Sequence, residues 1–228
     1  MTLEGKTLVV TGAAGALGRA VAATAAGYGG RVIGLDRVAD PGIDGVDSYH
    51  RIDLLAQADL GGRFRGLGPV DGLLNIAGGF AMAPFASEQP GEPDEDNWSA
   101  MFAINVTTLR RAVAAALPQM LAQGRGTIVN VGALAALAGA AEMAAYSAAK
   151  SAVLRLTESL SEEYRHRGIN VNAVMPSIID TPANRAAMPD AVSCTWVGPR
   201  DLAEVICFLA SDSARAVHGA LVPVRGLV

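Results

Sequence analysis

The stretch KTLVVTGAAGALG, Lys6 to Gly18, places an apolar run directly before a glycine-rich segment and an alanine-rich helical pattern. A strand that turns into a helix at such a loop leaves amides at the helix N-terminus free to bind a phosphate. Gly12 allows the tight turn, Gly15 lets the backbone approach a pyrophosphate, and Gly18 lets the helix pack close to its strand. The G-x-x-G-x-x-G spacing of these glycines differs from the commoner G-x-G-x-x-G, and an ordinary glycine-bearing loop is the alternative. The stretch nevertheless favours a nucleotide-binding site.

A second buried strand supports the nucleotide site. The segment RVIGLD, Arg31 to Asp36, ends in an acid 21 residues beyond Gly15, close to the offset at which a carboxylate binds an adenosine ribose diol. Asp36 therefore favours NAD(H), because a 2′-phosphate there would meet a like charge. The neighbouring Arg37 keeps NADP(H) open, since its guanidinium pairs well with a phosphate.

Composition sets the size and class of the protein. The chain has 228 residues, of which 51% are hydrophobic and 18% charged, which is enough apolar material for one large core. We therefore expect a single domain over residues 1–228. The net charge of −4 and the lack of Lys or Arg runs argue against a nucleic-acid partner.

Membrane insertion and export are also not expected. No stretch of about eighteen uninterrupted apolar residues occurs, and the alanine-rich segment Ala112 to Leu121 is broken by Pro118, which favours a core helix. The start MTLEGK lacks a basic region followed by a long apolar core. Two cysteines, Cys194 and Cys207, make a disulfide framework improbable, so a reducing cytoplasm is expected and both are interpreted as packing residues. No metal site is expected.

Short apolar runs alternate with helical patterns along the chain, as in βαβ units. This predicts a doubly wound, seven-stranded parallel α/β sheet with helices on both faces. The predicted strands are Thr7 to Val10, Arg31 to Leu35, Tyr49 to Ile52, Gly72 to Leu74, Gly126 to Val131, Asn170 to Val174 and Ala220 to Val224. The predicted helices are Leu17 to Tyr28, Ala56 to Phe64, Asn97 to Ala122, Met143 to Arg165 and Pro199 to Leu209. Between Arg37 and Ser48 a Pro- and Gly-bearing loop is expected in place of a crossover helix.

Tyr146 and Lys150 stand four residues apart within a long helical pattern, so their side chains share one face. An ammonium near a phenol favours the phenolate and lowers the tyrosine pKa, which suits a proton donor to a reduced carbonyl. A solvated Tyr and Lys is the alternative for this pattern alone. Following a nucleotide loop, the pair predicts a catalytic site.

Together these features resemble a short-chain dehydrogenase/reductase across nearly the whole chain. The matching pieces are Thr11 to Gly18, Asp36, Asp53, Asn75 to Gly78, Asn105, Tyr146 with Lys150, and Pro176 to Thr181. The resemblance implies Tyr146, Lys150 and Asn105 as catalytic residues, with Lys150 on the nicotinamide-ribose hydroxyls and Asn105 holding a water of a proton relay. It implies cofactor contacts from Gly12, Ala14, Gly15, Leu17, Asp36, Arg37, Asp53, Leu54, Asn75, Ala77, Gly78, Tyr146, Lys150, Pro176, Ile179 and Thr181. Two have simpler alternatives: Asn105 capping a backbone kink, and Thr181 capping a helix before Pro182.

One departure from the family is the absence of a serine. The family usually has a serine thirteen residues before the tyrosine, which donates a hydrogen bond to the substrate oxygen, and this chain has Ala133 there. No Ser or Thr occurs from Val131 to Ala145. A missing donor of this kind costs roughly 3 kcal/mol in transition-state stabilisation. Either the substrate needs less polarisation, or the protein is a poor catalyst.

Quinonoid dihydropteridine reductases share this pattern of Tyr and Lys without the serine. The chain is similar to them in Ala77 to Phe80, which matches their AGGW segment except for Phe80, and in the loop from Asp180 through Met188 to Trp196. A quinonoid imine is already strongly electrophilic, so the resemblance and the missing serine agree. Asn105 and the region around Asn97 look more like ordinary carbonyl reductases.

Two segments, at about 79–97 and 177–197, are expected to form the substrate wall, because ligands bind beyond the carboxyl ends of the strands. Their substrate candidates are Phe80, Ala133, Met188 and Trp196, and the alternative for Phe80 and Phe85 is loop anchoring. The acidic run Glu92 to Asp96 is interpreted as solvated charge before a helix N-terminus.

The sequence thus predicts an NAD(H)-dependent short-chain oxidoreductase acting on a small molecule with an activated C=N or C=O bond. The alternatives are a carbonyl or 3-oxoacyl-thioester reductase and a cofactor-binding scaffold or sensor with weak chemistry. Because the helices at 97–122 and 143–165 are apolar on more than one face, a homodimer or homotetramer is expected.

Overall fold

A computed structural model describes residues 1–86 and 95–227 of the chain. Its strands are β1 (Thr7–Thr11), β2 (Arg31–Asp36), β3 (Ser48–Arg51), β4 (Gly72–Asn75), β5 (Gly126–Val131), β6 (Ile169–Pro176) and β7 (Leu221–Val224). They form one parallel sheet in the order β3-β2-β1-β4-β5-β6-β7. The predicted seven-stranded parallel sheet is confirmed, with strand ends shifted by at most two residues.

Helices cover both faces of this sheet. They are α1 (Ala16–Gly27), α2 (Leu60–Gly66), α3 (Glu95–Phe102), α4 (Thr108–Gln123), α5 (Ala144–Tyr164), α6 (Pro182–Ala187) and α7 (Pro199–Ala210). On one face, α1 and α7 pack with the strands in a buried cluster that includes Val21 and Ile206. On the other face, α2, α4 and α5 contribute Phe64, Leu109 and Val153 to a second buried cluster. Burial on both faces is why β1, β2 and β4 are largely apolar runs that do not alternate, whereas the edge strand β3, SYHR, has no buried residue.

The sheet order places a crevice between β1 and β4. The chain runs from β1 outward to β3 at one edge and then returns to β4 beside β1. Thr11 at the end of β1 is paired with Asn75 at the end of β4. The segments that follow these two strands therefore diverge from a common point, which is where open α/β sheets bind ligands.

The connection between β2 and β3 lacks a crossover helix, as the sequence predicts. Ile43 and Val46 of this connection pack against the α1 side of the core. Gly45 has a φ of +79°, and a Cβ on it would lie 2.9 Å from the Cβ of Ala26. The loop thus lies directly on α1 in the place where a helix would otherwise pack.

The second predicted helix, Ala56 to Phe64, begins too early. In the structure α2 begins at Leu60, and Asp59 caps it by accepting a hydrogen bond of 2.7 Å from the Gly62 amide. The preceding residues form a turn closed by Asp53, whose carboxylate accepts from the Leu55 amide. Both acids bind backbone amides locally, and this competes with helix formation before residue 60.

The predicted helix from Asn97 to Ala122 is confirmed as a continuous helical run, Glu95–Gln123, which is not regular throughout. It contains a π-helical turn, Ala103–Thr107, between α3 and α4. The Asn105 amide donates to the Met101 carbonyl at 3.0 Å, and a side chain that bonds into the ladder in this way accounts for the irregular turn. The run Glu95–Gln123 is long and apolar enough to cross a membrane. Its side chains that include Val113 and Ala116 nevertheless pack in the core, as the sequence predicts.

One described helix was anticipated only by the alternative role given to Thr181, that of a helix cap, and this alternative is confirmed. Helix α6 lies inside the segment 177–197 that was treated as substrate loop. Thr181 is its N-cap, and the Thr181 hydroxyl accepts a hydrogen bond of 3.2 Å from the Asn184 amide. Of the other predicted substrate segment, residues 87–94, with Glu92 of the acidic run, lie outside the described residues.

Candidate active site

The glycine loop after β1 has the backbone geometry that the sequence predicts. Gly12 has a φ of +66°, and a Cβ on it would lie 2.8 Å from the Cα of Ala77. A Cβ on Gly18 would lie 2.8 Å from the Cα of Ala13 and would clash with the Gly12 carbonyl oxygen. The tight turn at Gly12 and the close packing at Gly18 are therefore confirmed, and no side chain is tolerated at either position.

The start of α1 is open to an anion. Gly15 is the N-cap and no side chain caps the helix, so the first amides of α1 have no side-chain acceptor. Leu17 directs its side chain into the core, where it is 8% exposed, so only its backbone faces this end of the helix. These open amides and the positive end of the helix dipole fit a pyrophosphate group.

Asp36 lies beside this loop. Its Oδ2 accepts a hydrogen bond of 3.0 Å from the Ala14 amide, which brings the end of β2 against the glycine loop. Arg37 is exposed, and Arg19 bonds the carbonyls of Ala14 and Gly42. One acid and two cations thus surround the place where the adenosine ribose of a dinucleotide would bind, and the site fits NAD(P).

Asp53 and Leu54 have local roles in the structure. Asp53 is exposed, and its Oδ1 accepts from the amides of Leu55 at 2.8 Å and Ala56 at 3.3 Å. The Leu54 side chain is buried in the core beside Ile52. An adenine contact at either residue remains a prediction of the family resemblance.

Thr11 joins β1 to the loop after β4, and sequence reasoning assigned it no role. Its hydroxyl accepts hydrogen bonds of 3.1 Å from the amides of both Ile76 and Ala77. Thr11 is 1% exposed. The sequence did contain a sign of this role, because Thr11 is a polar residue at the end of an otherwise apolar strand and a buried hydroxyl needs hydrogen-bond partners.

A buried polar chain runs from β4 to α5. The Asn75 amide donates to Asn130 at 2.9 Å, the Asn130 amide donates to Thr157 at 2.9 Å, and the Thr157 hydroxyl donates to the Val153 carbonyl. Asn130 and Thr157 were also missed by sequence reasoning, although Asn130 interrupts the apolar strand GTIVNV. These hydrogen bonds fix α5 relative to β4, and so they position the helix that carries Tyr146 and Lys150.

Tyr146 and Lys150 meet Asn105 and Gly78 in one place. The Lys150 Nζ lies 5.9 Å from the centroid of the Tyr146 ring and donates to the Val131 carbonyl at 2.9 Å. A Cβ on Gly78 would lie 2.9 Å from Asn105 Oδ1 and 3.5 Å from Lys150 Nζ. The end of β4, the π-helical turn and α5 therefore converge, as the resemblance predicts for the catalytic residues.

The side chain of Asn105 forms hydrogen bonds with backbone groups. Its Oδ1 accepts from the Gly79 amide at 3.2 Å, and its Nδ2 donates to the carbonyls of Gly79 and Met101 at 3.0 Å each. The simpler alternative, in which Asn105 satisfies a backbone kink, therefore describes the structure. A role in a proton relay stays a prediction.

The predicted lowering of the Tyr146 pKa is wrong for the protein without bound ligand. Burial raises the pKa of Tyr146 to about 12 and lowers the pKa of Lys150 to about 8. Lys150 is 6% exposed and is the one charged side chain among the buried residues of the described chain. Loss of hydration acts against both charged forms, and at this separation it outweighs the effect of the ammonium on the phenol.

Tyr146 has an aromatic neighbour. The rings of Phe80 and Tyr146 are 4.8 Å apart between centroids and lie at 84°, an edge-to-face pair. Ala133, at the position of the family's serine, is buried at the end of β5. The structure thus places a ring beside the tyrosine and a methyl group where the family usually has a hydroxyl.

The residues expected from the second loop are spread over several environments. Pro176 ends β6, and Ile179 forms an isolated bridge with Val197. Met188 is the partly exposed C-cap of α6, whereas Trp196 is only 8% exposed. Substrate contacts by Met188 and Trp196, and cofactor contacts by Pro176, Ile179 and Thr181, remain predictions.

Comparison with known proteins gives consistent findings. The family model described as "short chain dehydrogenase" matches residues 6–191. A 2-(S)-hydroxypropyl-CoM dehydrogenase from Xanthobacter autotrophicus is 31% identical over 98% of this chain and 96% of its own length. A 3-oxoacyl-[acyl-carrier-protein] reductase from Vibrio cholerae is 30% identical over 99% and 98%. A solved structure from Beutenbergia cavernae, assigned as an NAD(P) dependent gluconate 5-dehydrogenase and holding NADP at low occupancy, superposes with a TM-score of 0.87 at 32% identity, covering 99% and 97% of the two chains.

Proposed function

The chain belongs to the short chain dehydrogenase family, and we propose that it is an NAD(H)-dependent oxidoreductase that reduces an activated C=N or C=O group. One observation carries the proposal. The Tyr146–Lys150 pair is intact and converges with Gly78, whereas the buried residue at position 133 is an alanine. A substrate that is already electrophilic suits this combination of a retained proton donor and a missing hydrogen-bond donor.

In this proposal the cofactor supplies the hydride, and the chain supplies binding and the proton. The open amides at the start of α1 bind the pyrophosphate, with Gly12 and Gly18 keeping the loop close to the sheet. Tyr146 donates the proton to the reduced atom. Lys150 lies 5.9 Å from the tyrosine ring and is fixed by the Val131 carbonyl, from which it can reach a ribose hydroxyl.

The size of the missing contribution supports an activated substrate. A hydrogen-bond donor aimed at a developing oxyanion contributes roughly 3 kcal/mol, or two to three orders of magnitude in rate. Ala133 supplies none. A quinonoid dihydropterin needs less of this help because its ring nitrogens withdraw charge, and we propose it as the substrate type.

We also propose a preference for NAD(H). Asp36 lies against the glycine loop through the Ala14 amide, so a 2′-phosphate at the ribose would meet its carboxylate. The solved relative from Beutenbergia cavernae holds NADP, and Arg37 and Arg19 supply positive charge nearby. The binding experiment therefore compares both cofactors.

A second candidate is a carbonyl or 3-oxoacyl-thioester reductase. The Vibrio cholerae relative is a 3-oxoacyl-[acyl-carrier-protein] reductase by name, and it matches nearly the whole chain. This candidate predicts turnover of simple ketones or 3-oxoacyl thioesters despite Ala133.

The test compares the native protein with Ala133→Ser on a quinonoid dihydropterin, simple ketones and 3-oxoacyl thioesters, each with NADH and NADPH. We expect turnover of the dihydropterin that the substitution changes little, because the added hydroxyl has no matching oxyanion. Ketone reduction should rise with Ala133→Ser, since the donor stabilises the transition state more than the ground state. A ten-fold gain on the pterin with none on ketones, worth about 1.4 kcal/mol, would overturn this account of the missing serine. Turnover of none of these substrates would favour a scaffold or sensor.

A further inference from the structure

The ring of Tyr146 is held by another ring. Phe80 lies 4.8 Å from it between centroids at an angle of 84°, the arrangement in which the edge of one aromatic ring meets the face of the other. Phe80 is 49% exposed. It therefore remains at the surface of the site while its ring contacts the proposed proton donor.

The hydroxyl of Tyr146 is not held in the same way. In residues 1–86 and 95–227 it has no hydrogen-bond partner, and Lys150 approaches the ring only to 5.9 Å. The orientation of the acid thus depends on contacts to its ring.

The backbone that carries Phe80 is itself fixed. Asn105 binds both the amide and the carbonyl of Gly79, at 3.2 and 3.0 Å, directly before Phe80. Three residues later the Ala83 amide donates to the Glu142 carbonyl at 2.9 Å. Phe80 is held from both sides along the chain, which allows a half-exposed ring to keep a defined position.

Resting on the proposed function of the site, we propose that Phe80 is a positioning residue that holds Tyr146 through its ring, while the tyrosine hydroxyl has no hydrogen-bond partner within the described residues. Phe80 would thus affect the reaction only by orienting the ring of Tyr146. Asn105 contributes indirectly, because its two bonds to Gly79 set the place from which Phe80 reaches the tyrosine.

The kinetic test uses Phe80→Ala, Phe80→Leu and Phe80→Tyr, with Phe208→Ala as the matched control. Phe208 is a partly exposed phenylalanine on α7, outside the site. We expect Phe80→Ala to lower kcat by about two- to thirteen-fold, the rate equivalent of one edge-to-face pair, with KM and NADH affinity unchanged. Phe80→Tyr, which keeps an aromatic ring, should have the kcat of the native protein, whereas Phe80→Leu should have a lowered kcat. If Phe80→Ala raises KM and leaves kcat unchanged, Phe80 is a substrate contact. If Phe80→Leu is fully active, any apolar side chain suffices at this position. Either result overturns the proposal.

A second readout needs no substrate. Because burial raises the pKa of Tyr146 to about 12, exposing its ring should lower that pKa. The ultraviolet absorbance of tyrosinate is measured up to about pH 11, with and without Tyr146→Phe, in the Phe80 and the Phe80→Ala proteins. More tyrosinate from Tyr146 is expected in Phe80→Ala, and an unchanged titration overturns the proposal. If the native protein turns over none of the offered substrates, the proposed function fails, and this titration still decides the role of Phe80.

Discussion

Replacing Lys150 by methionine should make the protein more stable near neutral pH while removing its activity. Lys150 is 6% exposed, and burial lowers its pKa from 10.5 to about 8. Keeping the ammonium buried below pH 8 therefore costs about 3 kcal/mol of folding free energy. The substitution also removes the hydrogen bond to the Val131 carbonyl, worth about 1 kcal/mol. A net gain of about 2 kcal/mol is expected at pH 7.

The pH dependence gives the sign of the effect. Below pH 8 the lysine is charged in both the folded and the unfolded chain, and the full penalty is present. Between pH 8 and 10.5 the folded chain has lost the proton that the unfolded chain keeps, so the native protein gains stability as pH rises. The advantage of Lys150→Met should therefore shrink by about 2–3 kcal/mol between pH 7 and pH 10.

Urea unfolding of the native and Lys150→Met proteins across this pH range measures the difference. Lys6→Met is the matched control, because Lys6 is the chain's other lysine and pairs with the exposed Asp212 at 2.7 Å. Loss of such a surface pair costs at most about 1 kcal/mol. A Lys150→Met protein that is less stable than the native one at pH 7, or whose stability difference does not change with pH, would refute the burial penalty assigned to Lys150.

The remaining predictions concern the site, the glycine loop and assembly. Tyr146→Phe should preserve NADH binding and lower carbonyl or imine reduction by about two to four orders of magnitude, and intact turnover would place the acid elsewhere. Asp36→Asn keeps an acceptor for the glycine loop but removes the charge, so the ratio of NADPH to NADH dissociation constants should fall; equal affinities in the native protein would contradict the NADH preference. Gly18→Ala should destabilise the protein by about 1–3 kcal/mol or more in urea unfolding, because its Cβ would meet the Gly12 carbonyl, whereas Gly27→Ala in the same helix meets nothing within 4 Å and should be tolerated. Light scattering at micromolar concentration should give the mass of two or four chains, and a monomer would rule out the proposed oligomer.

Features that depend on neighbours along the chain could be predicted from the order of the amino acids. Seven short β-like runs alternating with helical patterns predicted the sheet, and most of them are apolar because a strand covered on both faces buries the side chains of both faces. Gly12 and Gly18 could be assigned because a turn and a close helix packing each exclude a side chain. Tyr146 and Lys150 could be paired because positions four apart share one helix face.

Features that depend on distant parts of the chain became visible only from the way its helices and strands pack together. The contact of Phe80 with Tyr146 joins residues 66 apart in sequence. Thr11, at the end of β1, accepts a hydrogen bond from the Ala77 amide in the segment that follows the neighbouring strand β4. The pKa values of Tyr146 and Lys150 depend on burial, which the spacing of the two residues does not contain. A sequence pattern predicts which face of its own helix or strand a residue occupies. The hydration, ring contacts and buried hydrogen bonds of that residue depend on the side chains that other helices and strands place against the same face.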